Sequence, residues 1–185
     1  MNHLATSKED ILAASRDLIK ENGWAAVSIR AVASRCSVSA GTIYNYYESK
    51  ADLLSDTIES IWHEIFFHPE AEQVFHDVES CISWIYERLE YGNSQFPGFF
   101  SLHSFGFMRD EKTSGKKKMM QTWGHILNGL CEVLENDPKV RSDVFDKEFT
   151  EKKFADILFS LILVSMIRQN YDSSSVLMLV KKTLY

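Results

Sequence analysis

The sequence has few prolines, and it has little of what would indicate a membrane or secreted protein. Its three prolines, Pro69, Pro97 and Pro138, stand only where helical patterns pause, which favours an all-helical fold. The most apolar run, residues 157–167, is about half the length needed to cross a bilayer. The first ten residues are polar and lack the apolar core of a signal peptide. We therefore expect a cytoplasmic protein without a membrane span.

Cysteine and catalytic motifs are also scarce. Cys36, Cys81 and Cys131 are an odd number without Cys-x-x-Cys spacing, and they lie beside apolar residues in predicted helices, which predicts reduced core thiols. The sequence lacks a phosphate-binding loop, a Gly-x-Ser-x-Gly pattern and a His-Glu-x-x-His pattern. We therefore predict that the protein is not an enzyme, with no catalytic residue and no cofactor.

Positive charge is in deficit as well, because the formal net charge is −6. This balance argues against indiscriminate nucleic-acid binding, since affinity for polyphosphates comes mainly from lysine and arginine. Between residues 24 and 50, however, the sequence contains three basic residues, Arg30, Arg35 and Lys50, and one acidic residue, Glu48, which gives a local net charge of +2. Any contact with DNA should therefore be confined to one face.

Hydrophobic periodicity predicts nine helices. The first follows a capping-box pattern from Thr6 to Glu9 and ends at Asn22-Gly23. The others are predicted at residues 28–36, 40–46, 49–65, 70–91, 99–109, 116–135, 149–171 and 173–184, with a break in the glycine-containing stretch 92–98. A boundary inside the fourth helix separates an N-terminal domain, residues 1–56, from a larger helical domain, residues 57–185.

Residues 28–50 have the pattern of a helix-turn-helix, two short helices joined by three residues. Ile29, Val32 and Ala33 of the first helix can pack against Ile43 and Tyr47 of the second. The other face of the second helix stays small and polar, which lets its backbone approach the major groove and its hydroxyl and amide groups reach phosphates and base edges. That face comprises Ser39, Ala40, Gly41, Thr42, Tyr44, Asn45 and Tyr46.

These residues resemble the TetR family of bacterial transcriptional regulators. The matching positions are Ser28-Ile29, Val32-Ala33, Val38-Ser39, Gly41-Thr42-Ile43-Tyr44, Tyr46-Tyr47, Lys50 and Leu53-Leu54. The chain departs from the family at the turn, where Ser37 stands in place of the usual glycine. A left-handed backbone there costs a residue with a Cβ atom roughly 1 kcal/mol.

The resemblance implies roles for individual residues. Ser28, Thr42, Tyr44, Tyr46 and Lys50 would contact phosphates. Ala40, Gly41, Asn45 and Arg30 lie where family members read bases. Tyr47, one turn beyond Ile43, is predicted to pack in the core instead.

The second half of the sequence suggests a dimer and a ligand cavity. Residues 154–167 are apolar almost all round and must be covered on several sides, and the resemblance implies a homodimer formed by the last two helices. Apolar pockets with a few polar groups suit small ligands, so the aromatic centre of the chain predicts a site for an apolar or aromatic effector. The candidate ligand-binding residues are Trp84, Glu87, Phe100, His103, Phe107, Met120, Trp123 and His125.

The sequence thus predicts a repressor that a small-molecule effector releases from a palindromic double-stranded operator. One alternative is a metal-responsive regulator, because Glu72 and His76 have i, i+4 spacing, although nothing clusters like a zinc signature and no metal ligand is predicted. The other alternative is a DNA-binding protein of this type that recruits a protein partner without a small-molecule ligand.

Overall fold

The computed structural model describes residues 6–66, 75–100 and 114–185, and every regular element in these ranges is helical. They contain eight α-helices and a short 3-10 helix, Trp24–Ala26. The α-helices are α1 Lys8–Asn22, α2 Ile29–Arg35, α3 Ala40–Tyr44, α4 Lys50–Phe66, α5 Val78–Gln95, α6 Ser114–Asn136, α7 Glu151–Arg168 and α8 Ser174–Leu184. The predicted all-α class is confirmed, and most of the predicted helix at residues 99–109 lies outside the described ranges.

The capping box of α1 was predicted one residue too early. Ser7 is the N-cap: its hydroxyl oxygen accepts from the Asp10 amide at 3.1 Å, and the Asp10 carboxylate accepts from the Ser7 amide at 2.8 Å. Thr6 is buried, with 6% of its surface exposed, and precedes the cap. Both Thr6–Glu9 and Ser7–Asp10 fit the sequence pattern, and the hydrogen bonds of Ser7 together with the burial of Thr6 identify the second.

The predicted bounds of the fifth helix were wrong at both ends. Helix α5 begins at Val78, because the Asp77 carboxylate accepts from the Ser80 amide at 2.7 Å and so caps the first turn. The hydrogen bonds that its carboxylate accepts from Lys139 and Ser80 hold the pKa of Asp77 well below its usual range. Residues 75–77, predicted as helical, precede α5, and the predicted helical residues 70–74 lie outside the described ranges.

At its other end α5 continues through Gly92 to Gln95 instead of breaking. A Cβ atom at Gly92 would lie 2.6 Å from Ile65 Cδ1 and 3.1 Å from Phe100 Cζ. The glycine therefore permits a close approach of side chains, at the cost of some helix propensity.

The described residues fall into two units. The first contains residues 6–66, 92–100 and 114–119, and the second contains residues 75–91 and 120–185. The division into functional domains at residues 1–56 and 57–185 stays a prediction.

In the first unit, α1 is attached to α4 by ion pairs. Lys8 Nζ lies 2.6 Å from Asp56, and Glu64 receives both Arg16 at 3.0 Å and Lys20 at 2.7 Å. Exposed ion pairs contribute little each, but Glu64 and the two cations it receives are partly shielded, and together they couple the end of α4 to α1.

In the second unit, a buried carboxylate joins three segments. Asp137 follows α6 and accepts from the Val78 amide at 2.9 Å and from the Tyr185 hydroxyl at 2.5 Å. Lys139 pairs with Asp77 at 2.7 Å beside it. The start of α5, the end of α6 and the residue after α8 are thereby fixed to one another.

The last two helices leave apolar side chains exposed. On α7 the buried face holds Leu158, Ile162 and Met166. The exposed large apolar residues of α7 and α8 retain 38–58% of their surface, and we call them the apolar stripe: Ile157, Val164, Ile167, Met178 and Leu179. Within the described ranges, no helix combines the length and the apolar character needed to span a bilayer.

The cysteines are free, as predicted, but only one of them lies in the core. Burial raises the pKa of the Cys81 thiol to about 12, which leaves it unreactive at neutral pH. Cys36 and Cys131 are half-buried.

Candidate nucleic-acid interface

Helices α2 and α3 form the predicted helix-turn-helix. Ser28 caps α2 by accepting from the Ala31 amide at 3.1 Å, and Ser39 caps α3 by accepting from the Thr42 amide at 3.1 Å. Between them the chain reverses at Ser37, whose φ is 56°. The left-handed turn therefore forms although the residue is not glycine.

A small apolar core holds the two helices together. Ile29, Val32 and Ile43 are 8% exposed or less, and Ala33 is 3% exposed where the Val38 amide donates to its carbonyl at 2.9 Å. Tyr47 is 3% exposed, so its predicted core role is confirmed. Burial raises the pKa of the Tyr47 phenol above its usual range, which keeps the ring neutral in the core.

The opposite face of the motif carries most of the predicted DNA-contact residues. The side chain of Tyr44 is 55% exposed. Helix α3 ends at this residue rather than at residue 46, and Asn45 caps it. The exposed residues of the predicted set are Arg30, Ser39, Gly41, Tyr44, Asn45 and Lys50, and the half-buried ones are Ser28, Ala40, Thr42 and Tyr46.

Among the described residues, the unpaired positive charge on this face comes from Arg30 and Lys50. Arg35 is already engaged, because its guanidinium pairs with Glu21 through two nitrogens and lies 3.9 Å from Asp17. This pairing raises the pKa of Arg35 and lowers the pKa of Glu21. In the described part of the chain neither Arg30 nor Lys50 has an acidic partner, so these two cations are available to phosphates.

Besides Ser28, three of the predicted contact residues have side-chain hydrogen bonds inside the protein. The Tyr46 hydroxyl donates to the Thr6 carbonyl at 2.7 Å, and the hydroxyl oxygens of Ser39 and Thr42 lie 3.0 Å apart. The predicted phosphate contacts of Tyr46 and Thr42 stay predictions.

The predicted ligand-binding residues are distributed over both units and the undescribed part of the chain, and their common site stays a prediction. Phe100 lies in the first unit and is 1% exposed, whereas Trp84 and Trp123 are half-buried in the second. The Trp84 ring packs on Phe75 at 5.3 Å between centroids. Of the rest, Glu87, Met120 and His125 are exposed, and His103 and Phe107 lie outside the described residues.

Sequence reasoning missed the aromatic cluster around Trp62. Its ring centroid lies 5.5 Å from those of Phe99 and Phe100 and 5.7 Å from that of Phe66. The helical register of α4 placed Trp62 beside Ile61 and Ile65 and could have identified it as a core residue. As for metals, no group of three or more potential ligands comes together within the described ranges.

Comparisons with known proteins agree with the helix-turn-helix assignment. Residues 11–57 match the family described as "Bacterial regulatory proteins, tetR family". The chain is also 38% identical over 48 residues to the HTH-type transcriptional regulator UidR of Escherichia coli, a match that spans 26% of this chain and 24% of UidR.

Two solved structures share the fold over nearly the whole chain. A TetR transcription regulator from Haloarcula marismortui is 17% identical, with a TM-score of 0.72 over 96% of this chain and 98% of that one. FadR from Bacillus subtilis, solved in complex with stearoyl-CoA, is 18% identical, with a TM-score of 0.68 over 97% and 100%. Residues 11–57 therefore carry the sequence pattern of the tetR family of bacterial regulatory proteins, and the chain shares the fold of these two regulators over nearly its whole length.

Proposed function

We propose that the protein is a dimeric repressor that binds a palindromic operator and is released from it by a small-molecule effector. The observation that carries the proposal is the face formed by α2 and α3, where Tyr44, Asn45 and Lys50 are exposed beside the short helix α3. Side chains of these types donate to phosphates and read base edges. The opposite face is packed by Val32 and Ile43, so the exposed side is the one that can meet a duplex.

The apolar stripe on α7 and α8 supports the dimer. Val164 and Ile167 are 44% and 49% exposed, and covering them with the same surface of a second copy would remove them from water. A two-fold axis through this face would place two copies of α3 on half-sites related by the same symmetry. A palindromic operator is the DNA counterpart of that arrangement.

The effector is proposed to be apolar or aromatic, because the centre of the chain is rich in aromatic residues. The FadR structure was solved with stearoyl-CoA, an apolar acyl chain on a polar carrier, in a protein of this fold. Stearoyl-CoA is therefore a reasonable first probe, and the eight predicted ligand-binding residues stay a prediction.

Helix α4 is proposed to carry the response. It begins at Lys50, directly after the helix-turn-helix, and its distal end is tied to α1 through Glu64. A shift of that end would therefore move α1, which packs against α2, and α2 in turn packs against α3. An effector weakens operator binding a hundredfold if it prefers the released form by about 2.7 kcal/mol.

DNA binding is tested by selecting genomic fragments with the purified protein and measuring affinity for the selected duplex at several salt concentrations. Lys50→Gln is expected to weaken binding and to flatten the salt dependence by about 0.9 for each phosphate that the protein no longer neutralises. Lys147→Gln is the matched control, because Lys147 is an exposed lysine of the second unit. Equal behaviour of the two variants, or no preference for any duplex, would refute the proposal.

The switch is tested separately, with the same duplex and candidate effectors that raise the thermal midpoint of the protein. A compound that binds the protein is expected to lower its affinity for the duplex. A confirmed ligand that leaves this affinity unchanged would rule out release by that effector.

A further inference from the structure

Tyr44 and Tyr46 are chemically identical and two residues apart, but their surroundings differ. The Tyr44 side chain is 55% exposed, and its hydroxyl has no hydrogen-bond partner in the described part of the chain. Tyr46 is half-buried, and its hydroxyl donates to the Thr6 carbonyl at 2.7 Å. Only one of the two hydroxyls is thus free to approach a duplex as a donor.

The acceptor of the Tyr46 hydrogen bond is held firmly. Thr6 is 6% exposed and directly precedes Ser7, whose capping box with Asp10 fixes the first turn of α1. A carbonyl next to a satisfied cap has little freedom to follow a moving partner. The bond therefore attaches the segment after α3 to the start of α1, across 40 residues of sequence.

Further contacts lead to the same place. Lys8 pairs with Asp56 of α4 at 2.6 Å, and its ammonium group lies 5.6 Å from the centre of the Tyr47 ring. The Cys36 sulfur, at the end of α2, lies 3.8 Å from the Asp10 carbonyl oxygen. The start of α1 is therefore the point to which α2, the segment after α3, and α4 are all attached.

We infer that Tyr46 is a positioning residue that sets the placement of α3, and that it is not a phosphate ligand. A phenol has a single proton, and phosphate oxygens only accept hydrogen bonds, so Tyr46 does not donate to a phosphate while it donates to Thr6. Its contribution to DNA binding is to fix the end of α3 to α1. This inference rests on the proposed DNA binding, and it leaves Tyr44 as the tyrosine that faces the duplex.

The test compares Tyr46→Phe with Tyr44→Phe on the selected duplex and on versions of it that carry one uncharged methylphosphonate at each position in turn. Both changes remove only a hydroxyl. Tyr46→Phe is expected to weaken binding to every duplex by the same factor, about five-fold for one hydrogen bond, and to preserve the position-dependent profile. In each half-site, one methylphosphonate is expected to weaken binding of the unsubstituted protein but not of Tyr44→Phe, because that variant no longer donates to the phosphate it replaces.

A role in folding alone would not produce this result, because binding is measured at a temperature where both variants are fully folded, as checked by their thermal midpoints. The inference would be overturned, and the proposed function left intact, by either of two results. In one, Tyr46→Phe becomes insensitive to the methylphosphonate at a single position. In the other, Tyr46→Phe binds the unmodified duplex as tightly as the unsubstituted protein. Failure of the unsubstituted protein to prefer any duplex would overturn the proposed function and this inference with it.

Discussion

Placing a charge in the centre of the apolar stripe should separate the two copies of the proposed dimer. Fully burying a Val, Leu, Ile or Met side chain contributes about 1.5–3 kcal/mol, and the stripe residues are 38–58% exposed in a single copy. Each would therefore contribute about 1 kcal/mol on association. Ten such side chains in a dimer give about 10 kcal/mol, which is comparable to the cost of association, about 4–15 kcal/mol.

Val164→Asp removes this contribution twice and adds two carboxylates that must be desolvated at several kcal/mol each. We expect dimerisation to weaken by at least about 4 kcal/mol, or about a thousandfold in Kd. Folding of the single copy should be almost unaffected, because Val164 is 44% exposed there. Sedimentation equilibrium measures the association, and far-ultraviolet circular dichroism checks the fold.

Met120→Asp is the matched control, because Met120 is a 61% exposed apolar residue outside the stripe. It should leave the dimer intact. Equal dissociation constants for Val164→Asp and the unsubstituted protein would refute the assignment of the stripe to a second copy. A monomeric unsubstituted protein at the concentrations used for DNA binding would refute it as well.

Three further predictions test the fold. Ser37→Gly should stabilise the first unit by up to about 1 kcal/mol in urea unfolding, because it relieves the left-handed turn, and Gln169→Gly, with φ 51°, should do the same in the second unit; lower stability of both would refute the strain argument. Gly92→Ala should destabilise the protein by about 1–3 kcal/mol through overpacking, and Ile65→Val should offset part of that loss, whereas additive effects would show that no clash exists. Asp77 has a lowered pKa in the folded state, so its contribution to the free energy of unfolding is complete above about pH 4 and is lost as the pH falls through the folded-state pKa. Asp77→Asn should therefore be less stable than the unsubstituted protein at about pH 6, and this difference should shrink below about pH 4. A difference that does not change with pH would contradict the assignment.

The helix-turn-helix could be read from the sequence because local signals agree there. Ser28 and Ser39 are caps, and Val32 and Ile43 form a core at helical spacing, so caps, periodicity and turn length all predict the same motif. Even the strained residue, Ser37, could be located, because the turn requires a left-handed backbone at that position.

The features that the sequence did not predict depend on contacts between distant segments. From the sequence alone Gly92 predicts the end of a helix, and only the structure shows that Ile65 and Phe100 pack closely against it. The engagement of the Tyr46 hydroxyl depends on Thr6, which periodicity alone does not bring near it. The predicted ligand-binding residues were chosen by composition, and composition does not determine which of them meet.

The pairing of Arg35 with Glu21 has a consequence for how the protein would search the chromosome. With Arg35 neutralised at its own surface, the described residues of this face would offer bulk DNA two unpaired cations, Arg30 and Lys50. Binding through few cations releases few counterions from DNA, so the affinity for unrelated sequences would be low, because each neutralised phosphate adds to that affinity. Such a protein would spend little time sliding on unrelated DNA, and its occupancy of the operator would depend on hydrogen bonds to bases and on the shape of the DNA.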